Sequence, residues 1–469
     1  MTIRPYASRA VALALLATAA PLAAQSTAPA DAAFARTVDS LANAVLQSSG
    51  VPSASIAVVR HGRLVYANAY GVANLASSTA AAPGMRYALG SISKQFTAAA
   101  ILLLQERGKL RVDDAVGTYV PGLTRGREVT IRQLLSHTSG YQDFWPQDYL
   151  MEPMLKSITP RGIADRWAKQ PLDFEPGTRW QYSNTNYTLA GMVIEKASGM
   201  PFWRFVQTQI LTPLKMSTAK DFDAGSRAAD ATGYIRYALG PLHAAPDAGT
   251  GWMWAAGELS MTASDLARWD STMIARGMLR PASWREMQHE VVLKNGAATN
   301  YGLGVDVLMA NGHFLVEHGG EVSGFTAENM VFPEDSVAIV VLTNQDAAPA
   351  SGAIGRGIAR LLFTTEDAAT TQRTAQARAI LDGLRQGTID RSLFTSNANG
   401  YFSGEALKDF ASSLAPLGEL KSFVQTGTSL RGGMRLRSYV ATFAGRAVRV
   451  WTFETADGKL EQYQVAPMG

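Results

Sequence analysis

A serine and a lysine three residues apart are the first pair in this sequence with the means to do chemistry. Ser91-Ile92-Ser93-Lys94 opens an apolar segment that predicts a helix over 91–106. Residues three apart in a helix share a face, so the Lys94 amine is expected beside the Ser91 hydroxyl. In a water-poor cleft a lysine loses part of its preference for the charged form and can accept the serine proton. The pair predicts a nucleophilic serine, with the N–H groups of a helix N-terminus available to a developing oxyanion.

A tyrosine and an asparagine form a second candidate element. Tyr182-Ser183-Asn184 follows Pro176-Gly177 and is predicted to lie on a loop that enters a helix. A phenol can relay protons between nucleophile, leaving group and water, and an amide can orient a substrate carbonyl. Ser217 to Lys220 repeats the first spacing, and Tyr66-x-Asn68 repeats the second inside a predicted strand. We interpret both repeats as chance matches.

The third element is His318-Gly319-Gly320, which ends a predicted strand. Glycines there let a substrate backbone approach a strand edge closely, and the imidazole can donate a hydrogen bond. Lys294-Asn295-Gly296 is a rival for the same place. We favour His318 because strands follow it directly.

The surrounding segments indicate which elements must position these side chains. Strands at both ends of a long, mostly helical block, about 116–290, predict one sheet with helices packed on it and the block inserted as a second lobe. A cleft between two such lobes is the natural ligand site. The predicted elements outside the block are helices at 34–46, 91–106 and 354–363 and strands at 55–59, 64–70, 314–317, 325–332 and 337–342. The first two strands are predicted to form a hairpin through a tight turn at His61-Gly62.

The composition changes after this region. Residues 365–374 are polar, small and rich in Thr, which predicts a linker, and 375–469 then predict a small α+β accessory domain. Its predicted elements are helices at 375–385 and 405–414 and strands at 434–443, 448–454 and 460–465.

The N-terminus has the features of a secretory signal peptide over residues 1–24. A basic stretch, Arg4 to Arg9, precedes an apolar run at 10–20 and small residues near 22–24. The apolar run is shorter than the roughly 20 residues of a membrane-spanning helix. We therefore expect an exported protein, periplasmic or secreted, with no transmembrane anchor after processing.

Composition excludes several other chemistries. The 469 residues include no Cys, which removes thiol nucleophiles and thiolate metal sites, and the six His show no close pairing, so no metal and no cofactor are expected. The 43 Lys and Arg are nearly balanced by 39 Asp and Glu, which argues against a nucleic-acid partner. A small-molecule or peptide substrate is expected instead.

Taken together, Ser-x-x-Lys, Tyr-x-Asn and His-x-Gly in this order resemble the serine β-lactamase and penicillin-binding protein superfamily, especially its class C type branch of esterases and D-amino-acid peptidases. Further runs resemble the same branch, and the resemblance spans about 31–364. It implies an α/β (α+β) β-lactamase/transpeptidase-like fold, an antiparallel sheet flanked by helices. These runs are Leu134 to Gly140, Pro176-Gly177, Ala256 to Leu259 and Tyr301 to Gly304.

The resemblance also implies roles for individual residues. Ser91 would form the acyl-enzyme, Lys94 and Tyr182 would share the proton transfers, and Asn184 would hold the substrate. His318, Gly319 and Gly320 would form a substrate-binding edge, and the backbone N–H of Glu321 would complete an oxyanion hole with that of Ser91. His318 stands where many relatives carry Lys, which favours esters or D-amino-acid peptides over substrates with a carboxylate.

Two other functions stay open at this point. One is a β-lactamase or D,D-carboxypeptidase. The other is a non-catalytic envelope sensor or binding protein whose C-terminal domain engages envelope material or a second copy of the chain. His137 is interpreted as structural, and the aromatic residues Phe144, Trp145, Trp252 and Trp254 as either core or the wall of an acyl pocket.

Overall fold

The computed structural model describes residues 29–147, 149–223, 229–310, 312–363 and 370–468. The predicted signal peptide at 1–24 lies outside these ranges. The chain divides into two compact units, one on each side of the 363/364 boundary.

The first unit contains twelve strands in its described residues. Most of them belong to one large sheet, and the others form short pairs nearby. The strands are β1 (Ser53–Arg60), β2 (Arg63–Asn74), β3 (Thr79–Ala80), β4 (Tyr87–Ala88), β5 (Lys220–Asp221), β6 (Tyr234–Arg236), β7 (Leu242–Ala244), β8 (Leu259–Met261), β9 (Asp306–Ala310), β10 (His313–Val322), β11 (Phe325–Phe332) and β12 (Val337–Thr343).

Ten α-helices accompany these strands in the described part of the first unit. Seven of them, α3 to α9, lie between α2 and β9 in the sequence and make up most of the inserted lobe. The helices are α1 (Pro29–Ser49), α2 (Lys94–Glu106), α3 (Ile131–Leu135), α4 (Pro160–Trp167), α5 (Asn184–Ser198), α6 (Phe202–Val206), α7 (Trp254–Gly257), α8 (Ala263–Ile274), α9 (Pro281–Met287) and α10 (Ala350–Phe363).

The large sheet has seven strands in the order β3-β2-β1-β12-β11-β10-β9, and every neighbouring pair is antiparallel. Its centre is buried on both faces. Ile56 and Val58 of β1 pack with α1 and α10 on one face, whereas Ala57 and Val59 join the core with α8 on the other. Such doubly buried strands have continuous apolar sequences instead of alternating ones.

The predicted sheet, its antiparallel pairing and the inserted helical lobe are confirmed. The predicted hairpin turn is also present, since His61 and Gly62 both adopt positive φ, 51° and 70°, as a two-residue turn of this kind requires. The helix predicted at 91–106 begins later in the chain than expected. The segment containing Ser91 is a 3-10 turn, Gly90–Ser93, and the α-helix begins only at Lys94.

A close approach between two backbones fixes this 3-10 turn against the sheet. A Cβ on Gly320 of β10 would lie 1.9 Å from the carbonyl oxygen of Leu89, and one on Gly90 would lie 2.7 Å from the backbone nitrogen of Glu321. Only glycine fits at these positions. The turn and the strand therefore meet backbone to backbone.

The second unit is a four-stranded antiparallel sheet in the order β13-β14-β15-β16 with helices and its own apolar core. The predicted 365–374 linker is wrong over 370–374, where the first helix has already begun, and residues 364–369 lie outside the described ranges. The strand β13 is absent from the prediction. The elements are α11 (Thr370–Leu384), α12 (Ser396–Tyr401), α13 (Gly404–Leu414), β13 (Leu420–Arg431), β14 (Met434–Phe443), β15 (Ala447–Glu454) and β16 (Leu460–Pro467).

Candidate active site

Ser91 and Lys94 meet as their spacing predicts. The Lys94 Nζ lies 3.0 Å from the Ser91 Oγ. Ser91 lies in the 3-10 turn and Lys94 is the first residue of α2, so the tighter turn still places both side chains on one face. The two groups are within hydrogen-bond distance, which a general base and its nucleophile require.

Lys94 is fully buried and has two further polar contacts. Its Nζ donates hydrogen bonds to the Asn184 Oδ1 at 2.9 Å and to the Ala256 carbonyl at 2.8 Å. Burial lowers the pKa of Lys94 to about 7, and the negative charge of Asp143 opposes this shift. A substantial fraction of Lys94 is therefore a neutral amine at neutral pH.

Tyr182 supplies the phenol of the site and lies just before α5. Its ring centroid is 5.0 Å from the Lys94 Nζ, and its hydroxyl is hydrogen-bonded to the Ser91 side chain. Burial raises the pKa of Tyr182, and the hydrogen bond to Ser91 opposes that rise. The phenol is thus protonated in the resting site.

His318 lies on β10 and is buried. Its Nδ1 donates to the Gly319 carbonyl at 2.5 Å, which leaves Nε2 to accept from the Tyr301 hydroxyl at 2.9 Å. Burial, with a smaller repulsion from Lys94, lowers the pKa of His318 to about 4. The imidazole is therefore neutral at neutral pH, and both of its nitrogens are engaged by the protein.

The backbone of β10 runs beside the Ser91 segment, where the oxyanion hole is predicted. The nitrogen of Glu321 lies next to the Gly90–Ser91 segment, because the two chains approach to the distances set by Gly90 and Gly320. This approach brings the Glu321 backbone nitrogen close to the nucleophile, where an N–H group would suit the negative charge of a tetrahedral intermediate.

Two cavities meet at the serine. The larger is about 620 Å³ and extends over Asn184 toward an aromatic wall. The smaller is about 510 Å³ and runs along β10 past His318, Gly319 and Gly320. Four residues line both cavities, so the nucleophile sits at their junction. They are Ser91, Trp180, Tyr182 and Glu321.

The structure brings all eight sequence-predicted residues to this one place, with Lys94 buried beneath the other seven. Lys294, the rival for His318, lies beside Gly177 and lines neither cavity. Tyr66 of β2 donates a hydrogen bond to Asp39 of α1, on the opposite face of the sheet from Ser91. Its role is therefore structural. Lys220, in the second Ser-x-x-Lys match, is an exposed residue of β5. Both chance matches therefore lie outside the site.

The sequence did not predict that Asn184 contacts Asp143. The Asn184 Nδ2 faces the Asp143 Oδ2 at 3.4 Å, and Asp143 Oδ1 accepts the Asn184 backbone N–H at 2.8 Å. The amide is thus held between Lys94 and Asp143, which adds a positioning task to the expected contact with substrate. The segment that supplies Asp143 follows the Leu134 to Gly140 run, which was the available signal.

Three of the four aromatic residues considered from the sequence, Phe144, Trp145 and Trp252, line the larger cavity, whereas Trp254 packs on Phe202. Across the described ranges, no group of His, Asp and Glu has the arrangement of a metal site. Nor does any described helix have the length and apolar character needed to cross a bilayer.

The chain is similar to known proteins over the region that contains the three motifs. The sequence profile of the Beta-lactamase family matches residues 35–362. Penicillin-binding protein 4* of Bacillus subtilis (strain 168) is 29% identical over 301 residues, which are 61% of this chain and 66% of that protein. The chain therefore spans slightly less than two thirds of that relative's length.

Two solved structures are also similar. A D-stereospecific amidohydrolase from Streptomyces sp. is 27% identical with a TM-score of 0.59, and the match covers 69% of this chain and 98% of that chain. The octameric penicillin-binding protein homologue from Pyrococcus abyssi is 22% identical with a TM-score of 0.63, covering 92% of this chain and 99% of that chain. The second similarity concerns the fold alone.

Proposed function

The chain belongs to the Beta-lactamase family, and from that premise we propose that it is a serine hydrolase that cleaves amides or esters through an acyl-enzyme on Ser91. The observation that carries the proposal is the buried Lys94 amine, 3.0 Å from the Ser91 hydroxyl. A lysine in this position has no structural partner of opposite charge in direct contact among the described residues. Burying this amine without a counter-charge lowers the stability of the folded protein, and a role as catalytic base explains why a lysine lies there.

The three contacts of Lys94 suit its neutral form. A neutral amine has two N–H donors and one lone pair. The Asn184 Oδ1 and the Ala256 carbonyl accept the two N–H groups, so the lone pair is left for the Ser91 hydroxyl. In this state Ser91 donates its hydrogen bond to Lys94, which is the direction of proton transfer.

Acylation then proceeds at the junction of the two cavities. The Ser91 oxygen bonds to the substrate carbonyl carbon while its proton passes to Lys94, and the carbonyl oxygen takes up negative charge against the N–H groups of Ser91 and Glu321. The bond from carbon to the leaving nitrogen or oxygen breaks as the leaving group receives a proton through Tyr182. Lys94 restores the proton to Tyr182.

Deacylation repeats these steps with water. A water molecule gives a proton to the neutral Lys94 amine as its oxygen bonds to the acyl carbon, and the Ser91 oxygen leaves the acyl carbon with a proton returned from Lys94. The net reaction consumes one water and releases a carboxylic acid together with an amine or alcohol.

The proposal favours D-amino-acid amides, D-peptides or carboxylic esters over β-lactams and D,D-carboxypeptidase substrates. The neutral His318 supplies no positive charge for a substrate carboxylate, and the acidic residue Glu321 lines both cavities. A relative named for D-stereospecific amidohydrolase activity adds support.

Ser91→Ala tests the nucleophile, and Ser217→Ala is its matched control because Ser217 has the same Ser-x-x-Lys spelling outside the site. We expect Ser91→Ala to abolish fluorophosphonate labelling and ester hydrolysis and Ser217→Ala to keep both. Labelling that persists in Ser91→Ala would overturn the proposal. Assays with a chromogenic cephalosporin, a p-nitrophenyl ester and D-aminoacyl amides test the substrate class, and predominant cephalosporin turnover would contradict it.

Export and self-association form a further part of the proposal. The basic and apolar residues at 1–24 support export, and N-terminal sequencing of the protein recovered from a periplasmic fraction tests it. The mostly exposed strand β13, at the edge of the second unit's sheet, supports self-association. Light scattering of the full chain tests this by its molar mass.

A further inference from the structure

The strands β6 and β7 form a hairpin with a two-stranded sheet of its own. Tyr234 lies opposite Ala244, and Arg236 lies opposite Leu242. The residues 237–241 connect the strands, and the Gly240 N–H donates a hydrogen bond to the carbonyl oxygen of residue 237 at 3.0 Å. This connection is the tip of the hairpin.

The base of the hairpin is fixed to the body of the first unit. The Tyr234 N–H donates to the Gly324 carbonyl at 3.2 Å and to the Asn344 carbonyl at 3.1 Å, and the Tyr234 hydroxyl accepts the Leu75 N–H at 2.6 Å. A Cβ on Gly324 would lie 2.5 Å from the Cα of Gly233, so the two backbones are in direct contact. The base therefore holds the tip in place without help from contacts at the tip itself.

The tip exposes two large apolar side chains. Leu239 is 96% exposed and Tyr237 is 70% exposed. Neither side chain belongs to a hydrophobic core cluster of the described residues, and the Tyr237 ring contacts His243 of the same hairpin, with centroids 5.7 Å apart. Single exposed apolar residues are common on protein surfaces, but two on one projecting turn form a patch that suits an interaction.

The charge of the hairpin indicates the chemistry of its partner. Residues 233–246 include one Arg, one His and neither Asp nor Glu. The Arg lies behind the tip, where Arg236 donates a hydrogen bond to the Gly50 carbonyl at 3.2 Å. An apolar tip with a cation behind it and no carboxylate is complementary to the acyl region and the anionic headgroups of a lipid bilayer.

The size of the patch argues against a protein partner. A stable protein–protein interface buries about 800 Å² on each side. An aromatic side chain buries about 150–250 Å², so Tyr237 and Leu239 together supply roughly half of the area needed. A bilayer needs no matching surface, and tyrosine is well suited to the boundary between headgroups and acyl chains because one end of its ring is polar.

The hairpin also borders the larger cavity of the active site. Ser323, which lines that cavity, donates a hydrogen bond to the Pro246 carbonyl at the end of the hairpin, at 2.6 Å. Because each residue of an extended chain spans at most about 3.6 Å, Leu239 lies within roughly 25 Å of Pro246. A bilayer that contacts the tip therefore lies close to the cavity rim.

We propose that the β6–β7 hairpin docks the protein peripherally on a lipid bilayer with anionic headgroups, with Leu239 and Tyr237 inserted at the boundary between headgroups and acyl chains. The docking is weak and reversible, because two side chains bury less apolar area than a single lipid anchor does. It places the rim of the larger cavity near the lipid surface. The inference does not depend on the proposed reaction, since neither side chain lines either cavity.

The absence of Cys from the chain allows a fluorescent label at one chosen position. Leu239→Cys in the full chain, labelled with the polarity-sensitive NBD group, should gain emission intensity and shift to shorter wavelength when vesicles of phosphatidylcholine and phosphatidylglycerol are added. Met309→Cys is the matched control, since Met309 is 67% exposed on β9, and its emission should not change. No change at position 239, or equal changes at the two positions, overturns the proposal.

Co-sedimentation with the same vesicles measures the contribution of the side chain. Leu239→Ser should lower the partition coefficient by about tenfold or more, because burial of a leucine side chain is worth at least that factor. Met309→Ser should bind as the wild type does, and residues 1–24 are identical in all variants, so a difference between them reports on the hairpin. Equal partition of the two variants overturns the proposal.

Two further measurements separate docking from its alternatives. Leu239→Ser should melt at the same temperature as the wild type, because its side chain packs into no core cluster of the described residues. NBD emission at position 239 should also be independent of protein concentration when vesicles are absent. Emission that rises with protein concentration alone would assign the tip to a second copy of the chain and overturn the proposal, while Ser91 labelling would still uphold the proposed function.

Discussion

The imidazole of His137 lies against the phenol ring of Tyr182, with ring centroids 4.3 Å apart and planes inclined by 32°. The His137 Nδ1 accepts the backbone N–H of Ser183 at 3.1 Å. His137 also has a φ of 58°, in the left-handed region that costs a non-glycine residue about 1 kcal/mol or more. One strained residue therefore holds both the ring and the backbone of the Tyr182-Ser183-Asn184 segment.

This arrangement predicts different effects for two substitutions of His137. His137→Phe keeps a ring against Tyr182 but loses the acceptor for Ser183, and we expect kcat to fall about a hundredfold because the phenol is displaced. His137→Asn keeps an acceptor and tolerates the left-handed φ, so the loss should be smaller. KM should change little in both, since His137 does not line either cavity. Equal losses in the two variants, or a change in KM alone, would contradict the positioning role.

The state of Lys94 predicts the pH dependence of acylation. With the pKa of Lys94 lowered to about 7, the reactive neutral amine predominates above that pH, so kcat/KM should decline below about pH 7 and level off above it. The charge of Asp143 raises the pKa of Lys94, so Asp143→Asn should lower that pKa and move the decline to lower pH. Stopped-flow acylation across pH 5 to 9 measures the shift. Asp165→Asn, on the exposed face of α4, should leave the profile unmoved, and a decline displaced to higher pH in Asp143→Asn would refute the argument.

Two adjacent glycines of β10 predict a sharp contrast in stability. A Cβ at Gly320 would lie 1.9 Å from the Leu89 carbonyl oxygen, whereas one at Gly319 would have its nearest neighbour, the Ala327 oxygen, at 3.9 Å. Gly320→Ala should therefore lower the melting temperature by several degrees or prevent folding, because backbone atoms on both sides must separate. Gly319→Ala should melt within about two degrees of the wild type. Similar melting temperatures for the two variants would show that the strand and the turn are not held as closely as the structure indicates.

Local signals made much of this molecule predictable from its sequence. The His61-Gly62 turn, the apolar runs of the central strands and the Ser91–Lys94 spacing each depend on residues close together in the chain. The start of the helix was misplaced by three residues, because the 3-10 turn at Gly90–Ser93 is set by its contact with β10 and not by its own composition.

Contacts between distant segments could not be predicted in the same way. The strand β13 is mostly exposed and forms because β14 pairs with it, so its sequence lacks the apolar pattern of a buried strand. Asp143 reaches the site by accepting a backbone N–H from Asn184, 41 residues away, and a backbone donor leaves no mark on the sequence. The three motifs identified the reactive residues from the sequence alone, whereas the residues that position them could be identified only from the folded structure.

The buried carboxyl of Glu258 predicts a stability that depends on pH. Glu258 is 1% exposed, and neither of its carboxyl oxygens has a hydrogen-bond partner within the described residues. Burial, together with repulsion by Asp221 and Asp223, raises the pKa of Glu258 well above its usual value. In the folded protein Glu258 therefore stays protonated at a pH where the unfolded chain has released that proton. The stability contributed by this group is full below about pH 4.5 and is lost as the pH rises toward the folded-state value.

Glu258→Gln should remove this dependence, since an amide has nearly the same shape and does not ionise. We expect the variant to be nearly as stable as the wild type at pH 5 and more stable at pH 8, because the wild type loses up to about 1.4 kcal/mol per pH unit between the unfolded-state and folded-state pKa of Glu258. Urea unfolding at the two pH values, followed by tryptophan fluorescence, measures the difference. Glu152→Gln, at an exposed position, should change stability by less than about 0.5 kcal/mol at either pH. A gain that is the same at pH 5 and pH 8 would mean that ionisation of Glu258 is not its source.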